Sequence, residues 1–192
     1  MKNNDKQITN IIYEAATMKR MKRVGFQILG NGEESIGEHS FMTAVIAYFL
    51  AKKLHLDIGK TLTMSIFHDM HETRVGDAHK IALKYITRNQ KKANNDIFGL
   101  IDQELVRLLD EYEERKTPEA QIVFEANVIA LLVRLKPLTE QGDIHAEKWM
   151  MNKTRIRTPE AVELTKILLE TDSQDWWLDI QNELEKEFKK NP

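Results

Sequence analysis

Within the stretch SIFHDMHETRVGD, residues 65–77, three side chains able to bind metals or move protons fall within four positions: His68, Asp69 and His71. Glu72 follows at once. A helix that only packs a core gains little from such a cluster. On a helix, His68 and Glu72 lie one turn apart on one face, and Asp69 is turned about 100° from His68. An adjacent His-Asp pair grips one cation only if the ion lies between their two directions, so further ligands must come from other helices. His39 is a candidate, because it falls in the first turn of a helix, where backbone geometry is well fixed. Imidazole and carboxylate together suit Mn, Co, Fe, Ni or Zn better than Ca or Mg. Such an ion lowers the pKa of bound water to about 7, and Glu72 could orient that water or move its proton. His71 reads as a neighbour rather than a ligand. A His-Asp dipeptide and a helix-end Glu are also common as solvated or satisfied groups, so spacing alone leaves both a metal site and an ordinary helix end open.

The elements that must position these residues are helical. Ser35 to Glu38, SIGE, has the form of a capping box, and the helix it opens runs to about Leu54 and carries His39. A second apolar helix, from about Ile58 to Arg74, carries the His-Asp pair and stops at Gly76. Helices are also expected over 7–22, 96–115, 118–136, 159–171 and 175–189. Residues 25–34 are expected as a loop, and 84–94 as loop or short helix. TPEA occurs twice, at Thr117–Ala120 and Thr158–Ala161, each time with Thr at the cap and Pro at the first helical position, where its missing N–H costs nothing. No alternating strand of convincing length appears. Glycine (8) and proline (4) are scarce and there is no repeat, so the expectation is one compact all-α domain over 1–192, with its core at about 10–180.

Composition bounds the function. Of 192 residues, 42% are hydrophobic and 30% charged, with a net charge of −2. That balance lacks the basic field a nucleic-acid polymer requires, while leaving room for a local basic site for a small phosphorylated ligand. The absence of cysteine excludes a disulfide scaffold, a thiolate metal site and a Cys nucleophile. No apolar stretch has signal-peptide or membrane-spanning length, and a cytoplasmic protein without membrane partners is expected.

The segments GEHSFMTAVIAYFLA, MSIFHDMHETRVGD and TPEAQIVFEANVIALLV together resemble the HD-domain metal-dependent phosphohydrolases, most nearly the compact single-domain 5′-deoxynucleotidases of the YfbR/HDDC2-like group. The resemblance spans about residue 10 to Trp177. It implies an HD-domain helical bundle with His39, His68 and Asp69 as ligands of a divalent ion (Mn, Co, Fe, Ni, Zn or Mg). It further implies Glu72 as the acidic residue beside the attacking water, and Asp77 in substrate positioning. MKRMKRVGF matches the segment whose arginine, here Arg23, holds the substrate phosphate. The implied substrate is a small nucleotide, foremost a (deoxy)nucleoside 5′-monophosphate. A nucleoside triphosphate or a cyclic nucleotide is the alternative on the same fold.

The chain departs from the family pattern twice. The fourth ligand, an aspartate seven residues after the Ala of TPEA, is here Asn127, an amide that can coordinate but carries no charge. Glu125 cannot replace it, since two residues along a helix is about 200°. A weaker metal site, or an impaired nucleotide- or metal-binding protein, would follow. After GD the chain continues AHKIALK, where Lys80 or His79 could meet phosphate. The Arg-, Lys- and Met-rich segment from Arg134 to Ala161 is expected to cover the site or to form a homodimer surface. Trp149, Trp176 and Trp177 are expected to pack at helix junctions.

Overall fold

The computed structural model describes the backbone of residues 2–190 and the side chains of residues 4–189. In chain order the α-helices are α1 (Lys2–Ala15), α2 (Gly25–Leu29), α3 (Ile36–Lys53), α4 (Ile58–Phe67), α5 (Glu72–Val75), α6 (Gln90–Phe98), α7 (Gln103–Glu114), α8 (Pro118–Glu140), α9 (Ile144–Trp149), α10 (Pro159–Glu170) and α11 (Asp175–Lys190). Short 3₁₀ turns occupy Ala82–Lys84 and Met150–Arg155. The fold is all-α; among the described residues the only extended pairing is one antiparallel bridge between Lys22 and Ser35.

α8 is apolar around most of its circumference, as a helix surrounded by others must be. α3 and α4 lie along it, with α7, α9 and α10 packed on its remaining faces. Ile46, Ala47, Leu50, Met64, Val123, Ala126, Ile129 and Leu132 form the core between these helices. A second cluster, including Met18, Ile36, Met70, Phe98 and Leu109, closes α6 and α7 against the start of α3. No helix of the described residues is long and apolar enough to cross a membrane.

α3 begins as its sequence requires. The Ser35 hydroxyl accepts the Glu38 N–H at 3.1 Å, and the Glu38 carboxylate accepts the Ser35 N–H at 2.6 Å. Elsewhere the expected boundaries change. α1 ends at Ala15 rather than near 22, because the Thr17 N–H and hydroxyl both donate to the Glu14 carbonyl and tighten the chain. The expected helix from 58 to 74 is broken. At His68 the ring Nδ1 takes the Ser65 carbonyl at 2.8 Å, the acceptor a continuing helix would offer to Asp69. Tight i−3 bonds then carry the chain from Met70 to Arg74. Gly76, at φ +74, provides the stop, in a conformation side chains rarely adopt. The expected loop 25–34 holds the short helix α2.

The segment 134–161 is mostly helical, and its later part, from Lys148 to Arg155, walls a cleft. The tryptophans divide. Trp149 packs against the cluster of Phe26, Leu29, Leu135 and Leu138, whereas Trp176 is 77% exposed on α11, contrary to the packing expectation. Among the described residues no helix packs closely on α11, and its Trp176, Ile180, Leu184 and Phe188 face solvent.

Candidate functional site

Three elements bring the candidate ligands together. His39 lies in the first turn of α3, fully buried; His68 caps α4; Asp69 follows in the tight turn. One nitrogen of each imidazole and one Asp69 oxygen all lie within 4.8 Å of one another. Asn127, from the middle of α8, places Oδ1 at 3.1 Å from His39 Nε2. Its amide donates from Nδ2 to the Tyr112 hydroxyl at 3.0 Å, which keeps Oδ1 turned toward the histidine.

The donor chemistry fits a cation. With Nδ1 donating to the Ser65 carbonyl, His68 presents a lone pair at Nε2, the arrangement by which a backbone acceptor fixes a metal-binding tautomer. His68 Nε2 is buried and without a hydrogen-bond partner, although Asp69 Oδ2 is only 3.1 Å away. His39 Nδ1 faces Glu34 Oε2 at 3.6 Å. A proton on Nδ1, facing that carboxylate, would leave Nε2 and the Asn127 oxygen confronting each other as two acceptors, whereas without a cation Nε2–H can donate to that oxygen. Buried acceptors facing one another need a positive centre between them. Two imidazoles, one carboxylate and one amide oxygen suit a first-row divalent transition ion.

Electrostatics agree with this polarity. Burial alone would raise the Asp69 pKa, but His68, His39 and Arg23 outweigh it and hold the carboxylate well below its usual range. Burial, aided by Arg23, pushes His39 below its ordinary value, which keeps the imidazole neutral. His68 moves the other way: its burial is overcome by Asp69.

Arg23 reaches the cluster because its backbone is pinned, its N–H donating to the Glu34 carbonyl at 2.8 Å. Its guanidinium lies 3.4 Å from Glu34 and 3.8 Å from Asp69. Asp77 accepts the Val24 N–H at 2.7 Å, which ties the loop after α5 to the Arg23 segment. Glu72 lies outside the ligand group. Its carboxyl is pushed up to about 9 by burial, and next by Asp69 and Asp77, against the pull of Arg88. Arg88 donates to Glu72 at 3.1 Å and to the Gly76 carbonyl at 2.7 Å. Lys80 donates to Asn152 at 2.8 Å, and His79 accepts the Ala82 N–H at 3.1 Å. His71 is buried with neither ring nitrogen bonded.

A cleft of about 600 Å³ opens beside the cluster, walled by Arg23, Asp77, Lys80, Asn127, Trp149 and Arg155 among others. Glu34, Arg88, Tyr112 and Arg155 carry no signal in spacing, since each joins the site through contacts distant in sequence. The nearest hint was Glu34, adjacent to the capping serine.

A family model described as HD domain matches residues 15–168. The 5′-deoxynucleotidase HDDC2 of Danio rerio is 25% identical over 165 residues, 80% of this chain and 82% of that protein. A conserved hypothetical protein from Pyrococcus furiosus has the same fold, with a TM-score of 0.74 at 24% identity, covering 85% of this chain and 99% of that one. A protein of solved structure from Pyrococcus horikoshii is 27% identical with a TM-score of 0.71, covering 86% and 98%.

Proposed function

The chain belongs to the HD-domain family, and on that premise we propose that it is a metal-dependent phosphohydrolase acting on a small nucleotide, foremost a (deoxy)nucleoside 5′-monophosphate. The observation that carries the proposal is the convergence of His39, His68, Asp69 and Asn127 beside a cleft that also holds Arg23. The similarity to the Danio rerio 5′-deoxynucleotidase supports the choice of substrate.

The reaction adds water across a phosphate ester and yields a free hydroxyl and inorganic phosphate. His39, His68, Asp69 and Asn127 would hold the divalent ion, which supplies Lewis acidity toward water and phosphate oxygens. Arg23, braced by Glu34, neutralises charge on the phosphoryl group through directional N–H donors. Glu72 carries a proton at neutral pH when the ion is absent. A neighbouring cation would favour its ionised form, so the carboxyl can exchange one proton with water or with the leaving hydroxyl. Asp77 holds the Val24 N–H and so fixes the Arg23 segment against the substrate loop. Trp149 offers the nucleoside an apolar wall.

Asn127 favours a second reading, a nucleotide-binding protein of low turnover, because the shell it completes has one carboxylate fewer than the family pattern. Phosphate release from a panel of nucleotides, with Mn, Co, Mg or no metal added, decides the matter. Metal-stimulated release of phosphate from 5′-monophosphates is expected. Triphosphate as product, or a linear monophosphate from a cyclic nucleotide, would move the substrate class. Binding without release from any nucleotide would leave the second reading standing.

A further inference from the structure

Beyond Arg155, on the side away from Arg23, a second cavity of about 490 Å³ is lined by Arg115, Arg155, Arg157, Phe124, Glu125 and Thr158, with Gln121 and Thr154. Neither the metal cluster nor the proposed reaction uses it. Among the described residues, none of the three guanidiniums lies within 4.0 Å of a carboxylate. None donates to a protein acceptor in the hydrogen bonds found. Arg23, Arg74 and Arg88, by contrast, each pair with an acid, although Arg20, Arg107 and Arg134 do not; what is particular here is that three unpaired guanidiniums line one cavity.

Two of the three cations share one aromatic ring: Arg115 stands 4.0 Å and Arg155 4.9 Å from the Phe124 centroid. The ring attracts each of them, but bringing two like charges onto it is unfavourable unless an anion joins them. All three guanidiniums reach solvent, and the Arg155 pKa is nonetheless held below its ordinary value, first by the partial burial of its inner atoms and then by Arg115. The lining's acid does not relieve it. Glu125 is fully buried and accepts the backbone N–H groups of Arg157 at 3.0 Å and Thr158 at 3.1 Å, with the Gln121 amide at 2.7 Å. With three arginines and one glutamate, the lining carries a formal charge of +2.

Thr158 adds a directional donor. It occupies the cap of the twelve-residue helix α10 and makes no side-chain cap bond. Its hydroxyl is therefore left to donate to a ligand, at a helix start where Pro159 has no N–H and Glu125 already takes the Thr158 N–H. Planar guanidiniums suit phosphate oxygens in particular, through paired N–H donors.

We propose that Arg115, Arg155, Arg157 and Thr158 form a second anion-binding site, separate from the Arg23 seat, that takes a small ligand carrying two or more linked phosphate groups. One phosphate would leave part of the +2 lining uncompensated, and the chain's net charge of −2 gives no extended basic field for a polymer. Arg155 lines both cavities, so this ligand binds next to the substrate cleft without entering it.

Inorganic tripolyphosphate is the probe, titrated calorimetrically into the full chain, with metal content measured before and after. Arg157 lines only the second cavity and its side chain is exposed, so Arg157→Ala should fold normally and leave phosphate release from nucleotides unchanged. It should weaken tripolyphosphate binding about tenfold or more. Arg157→Lys should recover part of the affinity, and Arg23→Ala should keep most of it. Equal binding by wild type and Arg157→Ala overturns the site. Loss of binding in Arg23→Ala but not in Arg157→Ala places the ligand in the catalytic cleft and overturns it equally.

Discussion

Glu125 and Asn127 stand two residues apart on α8 and serve different ends. Glu125 is a fully buried carboxylate that accepts the N–H groups of Arg157 and Thr158 and so clamps the start of α10 onto α8. Asn127, turned about 200° away, spans His39 and Tyr112 with a neutral amide. The charged residue does a structural task, and the uncharged one faces the candidate ligands His39 and His68. What a side chain on α8 does is set by what the neighbouring helices bring opposite it. An acid near a motif is not thereby a ligand.

The widest separation between the two faces should come from paired removals. His68→Ala is expected to lower metal affinity by at least about 100-fold and to abolish metal-stimulated phosphate release, while the fold persists. Glu125→Ala should do the reverse. It strands two backbone N–H groups and is expected to cost about 3 kcal/mol, with metal content retained in the folded fraction. Urea denaturation beside metal analysis checks both, and metal loss in folded Glu125→Ala would break the comparison.

Asn127→Asp sharpens it from the other side. Adding one charge among partly buried ligands should raise metal affinity by at least about tenfold and increase turnover. Metal titration of the two forms side by side measures this; equal occupancy and equal turnover would mean that a second carboxylate has no work to do here.

Glu72 supplies a third case, an acid buried like Glu125 but facing acids. Its folded value of about 9 lies above the ordinary 4.5. Below about 4.5 both states of the chain hold the proton and its stabilising effect is complete. As pH rises toward 9 the unfolded state releases the proton first, and stability falls. Metal-free protein should thus lose stability between pH 5 and 9, and Glu72→Gln should flatten that slope. Denaturation midpoints at the two ends of the range test it, and an unchanged slope would remove Glu72 as the cause. Arg88 already offsets part of the penalty within that value.

The helices were legible wherever local chemistry sufficed. The capping box at Ser35, the Pro-led starts of α8 and α10, and the stop at Gly76 all follow from residues within one turn. The two TPEA motifs show where legibility ends. Thr117 caps α8 by accepting the Ala120 N–H at 3.3 Å, whereas Thr158, heading the same four residues, makes no such bond. The difference comes from Glu125, which holds the Thr158 backbone from another helix. The break at His68 escaped for a related reason, since periodicity does not register a side chain competing for a backbone carbonyl. Of the candidate site, His39, His68, Asp69 and Asn127 lie together, with Arg23 beside them. Their supports, Glu34, Arg88 and Tyr112, arrive only through tertiary contact.

The wide spacing of the cluster in sequence has a consequence for folding. His39 and Asn127 are 88 positions apart and meet only when α3 has docked on α8, with the turn after α4 already in place. Contacts of such long range close large loops and form late. An unfolded or half-folded chain offers a cation isolated imidazoles and carboxylates, none of them a site. A bound ion would therefore select the finished native state, adding about 2.7 kcal/mol at a free concentration one hundred times its dissociation constant. The same contact that would assemble the chemistry thus makes metal retention a report on whether the whole chain has folded.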